Sequence, residues 1–181
     1  NALSNSNNLS IFKPKIEINN KDDYEVKLSA NKGDFFFERN QFDLSERISV
    51  NIIKDKEEIE LFAEKVFVDI DKEYLSSTNL KVNHNDITFS GREVSLSDEF
   101  ISMSGNPIIF FKKDKFEGYS NEIRIDLKKK LLYLSGTSNI LIDGKDITGE
   151  EIIFDYLNNS ILNSENLRIK SGNSWTQKYK K

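Results

Sequence analysis

Apolar and polar residues alternate along most of this chain. Val26 and Leu28 are separated by Lys27, and residues 48–52 alternate aliphatic side chains with Ser and Asn. Because successive side chains of a β-strand point to opposite faces, this alternation predicts strands with one face against a core. Within residues 54–64 the apolar residues also fit the spacing of a helix. A short helical turn near 54–60 is therefore an alternative to strand, and strand is predicted from Leu61 onward.

Three consecutive phenylalanines at 35–37 break the alternation. A buried strand, a bulge and a hydrophobic patch at one end of the domain are all compatible with such a run. We expect these rings to pack in the core.

A repeat underlies the pattern. The motif at 121–126, NEIRID, returns as EEIIFD at 150–155 after 29 residues, and related stretches occur at 92–96 and 64–69, at spacings of 29 and 28 residues. Self-similarity at a fixed period is the sequence signature of a fold built from one repeated unit. The four copies therefore predict units of about 28 to 29 residues over one continuous domain.

Each unit contains two strands that are apolar on one face. In the first strands the aligned pairs are Val66/Val68, Val94/Leu96, Ile123/Ile125 and Ile152/Phe154, and in the second strands they are Leu80/Val82, Ile108/Phe110, Ile140/Ile142 and Leu167/Ile169. All sixteen positions are apolar, so each strand is predicted to be half-buried. This apolar face fits either a closed core or a groove for apolar ligands.

Small or polar residues interrupt the second strand of every unit: Ser77-Thr78, Gly105-Asn106, Gly136-Thr137 and Ser164. Such a break lets a long strand bend from one sheet into another, so two facing sheets are expected. Asp69, Asp126 and Asp155 follow the first strands and are predicted to start turns, while Asp143-Gly144 is a hairpin signal. The expected domain organisation is a flexible leader over 1–14, a single β-domain over 15–170 and a polar tail over 171–181.

Charge and composition narrow the function classes. The net charge of −4 arises from 30 acidic and 26 basic residues interspersed along the chain, which disfavours nucleic acid as a main partner. The chain has no cysteine, which excludes thiolate catalysis and disulfides. Only three alanines occur among 181 residues, and β-branched and aromatic residues are abundant, which favours an all-β protein.

Catalytic constellations are missing from the sequence. The single histidine, His84, lies in Asn-His-Asn-Asp and is predicted to be a turn residue, because no second histidine or cysteine could complete a zinc site. No Gly-x-Ser-x-Gly motif and no glycine-rich phosphate loop occurs. Glutamates recur at Glu64, Glu93, Glu122 and Glu151, and this repetition favours a structural role at the strand start over the acid pair of a glycosidase. We expect a protein without enzymatic activity or cofactor.

The repeat resembles the OstA-like repeat of the LptA family, the periplasmic bridge proteins of lipopolysaccharide transport. The resemblance lies in GNPIIF at 105–110, FEG at 116–118, NEIRID at 121–126, LSG at 134–136 and ITGEEI at 147–152, and covers about residues 61–165. Two features depart from this family: Ser77-Thr78 stands where a glycine is usual, and the segment 22–58 is long and rich in phenylalanine.

The resemblance implies an open, twisted antiparallel β-jellyroll whose two sheets form a V. Its apolar interior would hold the acyl chains of lipopolysaccharide or a related amphiphilic glycolipid during periplasmic transport. The inward residues that would line the lipid site are Val66, Val68, Leu80, Val82, Val94, Leu96, Met103, Ile108, Phe110, Ile123, Ile125, Leu134, Ile140, Ile142, Ile152 and Phe154.

The resemblance also implies partners. Unpaired strand edges at both ends of an open jellyroll can add strands from another chain. LptC-like inner-membrane and LptD-like outer-membrane jellyrolls, and further copies in head-to-tail order, are the expected partners. The alternatives are the LptC-like component of the same system, a β-solenoid adhesin or interaction protein, which parallel strands would favour, and a carbohydrate-active β-enzyme, which the missing acid pair disfavours.

Overall fold

The structure, a computed structural model, describes residues 8–20, 23–171 and 174–177. Fifteen strands form one sheet, and every pairing in it is antiparallel. The strands are β1 (Asn8–Phe12), β2 (Lys15–Asn20), β3 (Tyr24–Ser29), β4 (Lys32–Phe36), β5 (Gln41–Lys54), β6 (Glu57–Asp69), β7 (Tyr74–His84), β8 (Ile87–Leu96), β9 (Ile101–Lys112), β10 (Phe116–Asp126), β11 (Leu131–Ile142), β12 (Lys145–Asp155), β13 (Ser160–Glu165), β14 (Arg168–Ser171) and β15 (Ser174–Gln177). A 3-10 turn covers Phe37–Arg39, and none of the helical structure described is long and apolar enough to cross a membrane.

Most of the long strands change register near their middle. In β10 the pairing with β11 shifts between Tyr119 and Glu122. Phe116 and Ser120 are buried before this shift, and Ile123 and Ile125 are buried after it, so the inward-facing positions change from even to odd. One extra residue at a β-bulge bends the strand and re-aims its side chains. The bulges of neighbouring strands together make a line along which the whole sheet folds, here called the bend.

The bend divides the sheet into two halves that face each other. The upper half-sheet comprises β2, β3, β14, β15, the second halves of β5, β7, β9 and β11, and the first halves of β6, β8, β10 and β12. The lower half-sheet comprises β1, β4, β13 and the remaining halves of the long strands. At both ends of the molecule the chain crosses the bend between separate short strands, from β1 to β2, β3 to β4 and β13 to β14.

The core lies between the two half-sheets. A single cluster of buried apolar side chains runs from Tyr24 to Tyr156. Phe116 of the upper half-sheet packs edge-on against Phe154 of the lower one, with ring centroids 4.8 Å apart. Full burial of one such side chain is worth roughly 1.5–3 kcal/mol, so the facing of the two halves supplies most of the stabilisation.

The repeat is visible in the turns of the lower half-sheet. At successive spacings of 28, 29 and 29 residues, a side-chain oxygen accepts a hydrogen bond from the backbone N–H three residues on. The bonds join Asp69 to Lys72 (3.1 Å), Ser97 to Phe100 (3.2 Å), Asp126 to Lys129 (2.9 Å) and Asp155 to Asn158 (2.8 Å). These are the predicted Asp turns, and Ser97 performs the same role in the copy that lacks the aspartate.

The predicted open antiparallel jellyroll is confirmed, and several details differ from the expectations. Residues 54–60 form the turn and first residues of the β5–β6 hairpin, with no helical turn. Strand β1 lies inside the segment expected as a leader, where Leu9 and Ile11 continue the alternation, and β15 lies inside the expected tail. Residues 1–7 of the expected leader and residues 172–173 and 178–181 of the expected tail lie outside the described part of the chain.

The phenylalanine run divides between interior and surface. Phe35 is partly buried and stacks on Phe42 with centroids 4.4 Å apart, whereas Phe37 is 56% exposed. Only part of the run therefore joins the core, because Phe37 starts the 3-10 turn that connects β4 to β5.

Candidate functional site

The apolar interior is the candidate functional site. Of the sixteen side chains proposed from the sequence to line it, Leu96 is partly buried and the other fifteen are buried. The structure brings them together from both half-sheets: Leu80, Val82, Ile108, Phe110, Ile140 and Ile142 belong to the upper one, and Val66, Val68, Val94, Leu96, Met103, Ile123, Ile125, Leu134, Ile152 and Phe154 belong to the lower one. The second-strand positions Leu167 and Ile169 are partly buried against the same core.

The interior is closed in this conformation. An apolar cavity between the half-sheets holds about 40 Å³ and is lined by Ile18, Val26, Ile52, Val68 and Leu96 among others. A water molecule occupies about 30 Å³ of liquid, so this cavity has room for about one. A larger depression of about 820 Å³ lies on the outer surface, with Glu58, Glu60, Lys112, Lys113 and Lys115 among its lining residues. An acyl chain could enter the interior only if the half-sheets separate.

The side of the sandwich opposite the bend is a seam between two rows of turns. Upper turns at 55–56 and 85–86, with the strand ends beside them, face lower turns at 70–73, 97–100, 127–130 and 156–159. Across this seam, no backbone hydrogen bond joins an upper turn to a lower turn among the described residues. Side chains hold it closed instead, at four places along its length.

The first seam contact involves Glu73 of the lower turn at 70–73. The amide of Asn20, at the end of β2, donates to its carboxylate at 3.5 Å. The hydroxyl of Tyr24, at the start of β3, also hydrogen-bonds to Glu73, and burial together with this carboxylate raises the pKa of Tyr24 well above its usual value. The phenol therefore stays protonated and remains a donor.

The second contact is a buried lysine. Lys54, the last residue of β5, is 1% exposed, forms an ion pair with Asp23 and donates to the carbonyl oxygen of Asp98 at 3.0 Å. Asp23 lies in the upper half-sheet and Asp98 in a lower turn, so this ammonium group links the two. The second carboxylate oxygen of Asp23 is buried without a hydrogen-bond partner.

The third contact is a pair of salt bridges to the lower turn at 127–130. Lys130 forms an ion pair with Glu57, and Lys128 lies 3.3 Å from a carboxylate oxygen of Asp55. Lys128 is 72% exposed, whereas Lys130 and Glu57 are each less than one-third exposed. Ion pairs of this kind contribute modestly, because water competes for both charges.

The fourth contact joins His84, the last residue of β7, to Tyr156 in the lower half-sheet. The Nε2 atom of His84 lies 3.2 Å from the Tyr156 hydroxyl, and Nδ1 lies 3.1 Å from the carbonyl oxygen of Glu58. Because a carbonyl only accepts, Nδ1 carries the proton and Nε2 accepts from Tyr156 when the ring is neutral. Burial lowers the pKa of His84, opposed by the Glu58 carbonyl and the charge of Glu57 and assisted by Lys130, which favours the neutral ring.

The bend carries a different kind of polar group. Ser120 and Ser138 are fully buried there, with their hydroxyl oxygens 2.8 Å apart. The Ser120 hydroxyl also lies 2.8 Å from the carbonyl oxygen of Glu122 and 3.1 Å from that of Ser135. These neutral hydroxyls satisfy carbonyls that the bulge removes from the ladder.

The recurring glutamates lie beside the bend. Glu93, Glu122 and Glu151 pair with serines of neighbouring strands, namely Ser104 and Ser135. Glu93 accepts a hydrogen bond from Ser104 at 2.7 Å, and this bond, with one from Tyr74, holds the pKa of Glu93 below its usual range. The placement agrees with a structural role for these residues. Among the described residues, no three His, Cys, Asp or Glu side chains are grouped closely enough to hold a metal ion.

The seam residues were missed by the sequence interpretation, and the prediction for His84 was wrong. His84 is a buried strand residue, 3% exposed, and does not lie in a turn. A signal was present in the alternation itself. One more step of two residues extends the inward apolar series Ile48, Val50, Ile52 to Lys54. The same step extends Leu80, Val82 to His84, and Ile152, Phe154 to Tyr156. The period of two therefore places all three polar side chains inward.

No family model and no curated protein matches the sequence of this chain. Comparison of structures does find similar folds. The crystal structure of LptH, the LptA homologous periplasmic component of the conserved lipopolysaccharide transport device from Pseudomonas aeruginosa, superposes with a TM-score of 0.50 at 15% identity, covering 59% of this chain and 82% of LptH. The chain has the LptA-like jellyroll fold. The match confirms the architecture that the resemblance implied, and at this identity the LptA-like likeness concerns the fold alone.

Proposed function

We propose that this protein is a non-enzymatic carrier that holds the acyl chains of lipopolysaccharide, or of a related amphiphilic glycolipid, between its half-sheets while the head group stays in water. The observation that supports this most is the continuous apolar interior: buried side chains from both half-sheets face each other along the whole LptA-like jellyroll. Such a site would contribute about 0.8 kcal/mol for each methylene group transferred from water.

The proposed setting is the periplasm, where the structural relative LptH is located according to its description. Transfer would occur without chemistry, by alignment of this interior with that of the next jellyroll. Within the described residues both ends of the sheet expose edge strands, β1 and β2 at one end and β13 and β15 at the other. Edges at both ends favour a bridge between two jellyroll partners, one LptC-like and one LptD-like, over a terminal component.

Neighbouring positions at the end of β11 offer a matched test of lipid binding. Ile142 points inward and is 8% exposed, whereas Leu141 points outward and is 38% exposed. An aliphatic diazirine amino acid placed at 142 in cells with a lipopolysaccharide-containing envelope should yield an amphiphile adduct after irradiation, and the same residue at 141 should not. A second inward position, Ile125, should behave like 142.

Mass spectrometry of the purified protein identifies the adduct and hence the lipid class. Absence of lipid adducts at both inward positions, or equal labelling at 141 and 142, would remove the carrier hypothesis and leave a structural β-domain.

The assembly part of the proposal has its own measurement. Head-to-tail pairing of the two sheet ends is heterologous and does not close, so particles should lengthen as concentration rises. Light scattering over a hundredfold range of concentration should show the mass growing. A constant monomeric mass, together with no complex with another jellyroll protein, would count against edge pairing.

A further inference from the structure

We infer that the seam is a lateral gate: the half-sheets part along the turns joined by Lys54, Lys128, Lys130 and His84, with the bend as hinge, and acyl chains enter sideways. The identity of the ligand in this inference rests on the proposed function, whereas the opening motion is independent of that function. Three features of the structure support it.

The first feature is the asymmetry of the two long sides. At the bend, eight strands run without interruption from one half-sheet to the other, so separation there would break the chain's own ladder. At the seam, the described residues make no backbone hydrogen bond from upper to lower turns. Neighbouring lower turns are nevertheless tied to one another by backbone bonds, such as Tyr156 N–H to the Lys130 carbonyl at 3.3 Å. The lower turns are thus tied into a row that can move as a unit.

The second feature is the placement of buried polar residues. Six are buried in the described structure: Lys54, Asp69, His84, Asp126, Ser120 and Ser138. The first four lie at the seam, and the two serines lie at the bend. Charged and titratable groups become fully hydrated when a seam opens, so they suit a boundary that opens and are costly in one that stays dry.

The third feature is the regular offset of the contacts. The β5–β6 turn contacts the lower turn at 127–130 through Asp55 and Glu57, and the β7–β8 end contacts the next lower turn through His84. One hairpin step in the upper row, from the β5–β6 turn to the β7–β8 end, therefore matches one hairpin step in the lower row. The contacts thus keep the two rows of turns aligned. If they broke one after another along the seam, it would open from one end.

A pair of turn positions allows the gate to be measured and locked while these contacts stay intact. Lys56 and Lys129 are exposed residues of facing turns, beside but outside the cross-seam ion pairs. The chain has no cysteine, so Lys56→Cys/Lys129→Cys carries only two thiols. The matched control, Lys56→Cys/Asp86→Cys, has both thiols in turns of the upper half-sheet.

Spin labels on Lys56→Cys/Lys129→Cys test the motion without any lipid. The distance distribution should contain a second, longer population that grows when Glu57→Gln and Lys128→Gln are added, while the control pair stays unchanged. One narrow population that neither the added substitutions nor a lipid probe alters would overturn the gate.

A cleavable bis-maleimide across the same pair tests the route, with a fluorescent dodecanoic acid as probe. Locking should slow both uptake and release of the probe at least tenfold, reductive cleavage should restore them, and cross-linking of the control pair should leave them unchanged. Equal rates in locked and control proteins would overturn lateral entry and place the route at the sheet ends, with the carrier function intact. If no variant takes up the probe while the labels still show opening, the carrier function fails and the gate stands.

Discussion

The bend and the seam are the two long sides of one sandwich, and they keep it closed by different means. At the bend, Ser120 and Ser138 are neutral, fully buried and bonded to carbonyls of the bulges. At the seam, buried Lys54 and His84 contact the opposite half-sheet through their side chains, whereas the buried carboxylates Asp69 and Asp126 accept hydrogen bonds within their own lower turns. Main-chain ladders thus hold the bend together, whereas among the described residues only side chains join the upper turns to the lower turns at the seam.

The largest loss of stability is expected from a charged substitution in the apolar interior between these two sides. Ile125 is fully buried and pairs with Ile101 and Leu132. Ile125→Asp would place an ionised carboxylate in this dry interior at a cost of several kcal/mol, comparable to the net stability of a domain. We expect the variant to be unfolded at 25 °C, measured by circular dichroism and urea titration.

The neighbouring outward position provides the control for that change. Arg124 lies over the rings of Phe100 and Tyr133 on the outer face, with distances of 5.1 and 5.6 Å to the centroids. Arg124→Asp removes a cation–π contact worth about 0.5–1 kcal/mol and should leave the fold intact. A folded Ile125→Asp protein would show that water reaches the interior, and the half-sheets would then be open in solution.

The largest effect expected at the seam comes from Lys54. Lys54→Met leaves the Asp23 carboxylate without its cation and the Asp98 carbonyl without a donor. Removal of one partner of a buried pair typically costs about 3–5 kcal/mol, and because Asp23 is 21% exposed we expect about 2–4 kcal/mol from urea unfolding.

A double variant separates the charge effect from the packing effect. In Lys54→Met/Asp23→Asn neither a cation nor an anion remains, so stability should recover by more than half of the loss. No recovery would show that the ion pair is unimportant, and that Lys54 acts through its stem and its bond to Asp98.

A smaller loss is expected at the bend. Ser120→Ala removes a hydroxyl that lies within hydrogen-bond distance of two carbonyls and of Ser138, at a cost of about 1–2 kcal/mol for the buried groups left unpaired. The variant should fold, and its spin-label distances across the seam should match those of the parent protein. Ser102→Ala, on the outer face of β9, should change stability by less than about 0.5 kcal/mol. A wider seam in Ser120→Ala would contradict the separate roles of the two sides.

The sequence predicted the architecture because a period of two with a repeat of 28 to 29 residues constrains every strand at once. Aligned pairs such as Ile123 and Ile125 could be placed inward by counting, and Asp126 could be assigned to a turn. The bulge that changes the parity at Ser120 was less visible, because a break of small residues indicates a bend without fixing which residue is added.

The seam could not be predicted in the same way. Its contacts join residues far apart in the chain, 72 residues in the case of His84 and Tyr156, and the matching of turns depends on the twist of the whole sheet. Asn-His-Asn-Asp has the composition of a turn, so local propensity pointed away from a buried histidine. Only the parity of Lys54, His84 and Tyr156 with their preceding apolar residues carried the information.

The smallest expected effect is a dependence of the seam on pH through His84. Burial lowers the pKa of this ring below its ordinary value of 6.5, so the unfolded chain binds a proton more readily than the folded one. The stabilisation is therefore complete above about pH 7 and is lost as pH falls below 6.5, with a slope of at most about 1.4 kcal/mol per pH unit. The groups that face the ring are Tyr156, Glu57, Lys130 and the carbonyl of Glu58.

His84→Gln isolates this contribution, because it keeps an amide near the Tyr156 hydroxyl and cannot titrate. Stability measured by urea unfolding at half-unit steps from pH 7.5 to 5.5 should fall in the parent protein and change less in the variant. The fraction of the longer spin-label distance across the seam should rise over the same range in the parent protein alone, because a protonated ring is better hydrated in the open seam. Parallel pH profiles for the two proteins would show that His84 does not titrate as part of the seam, and Lys54 and Lys130 with their carboxylates would then be its charged contacts.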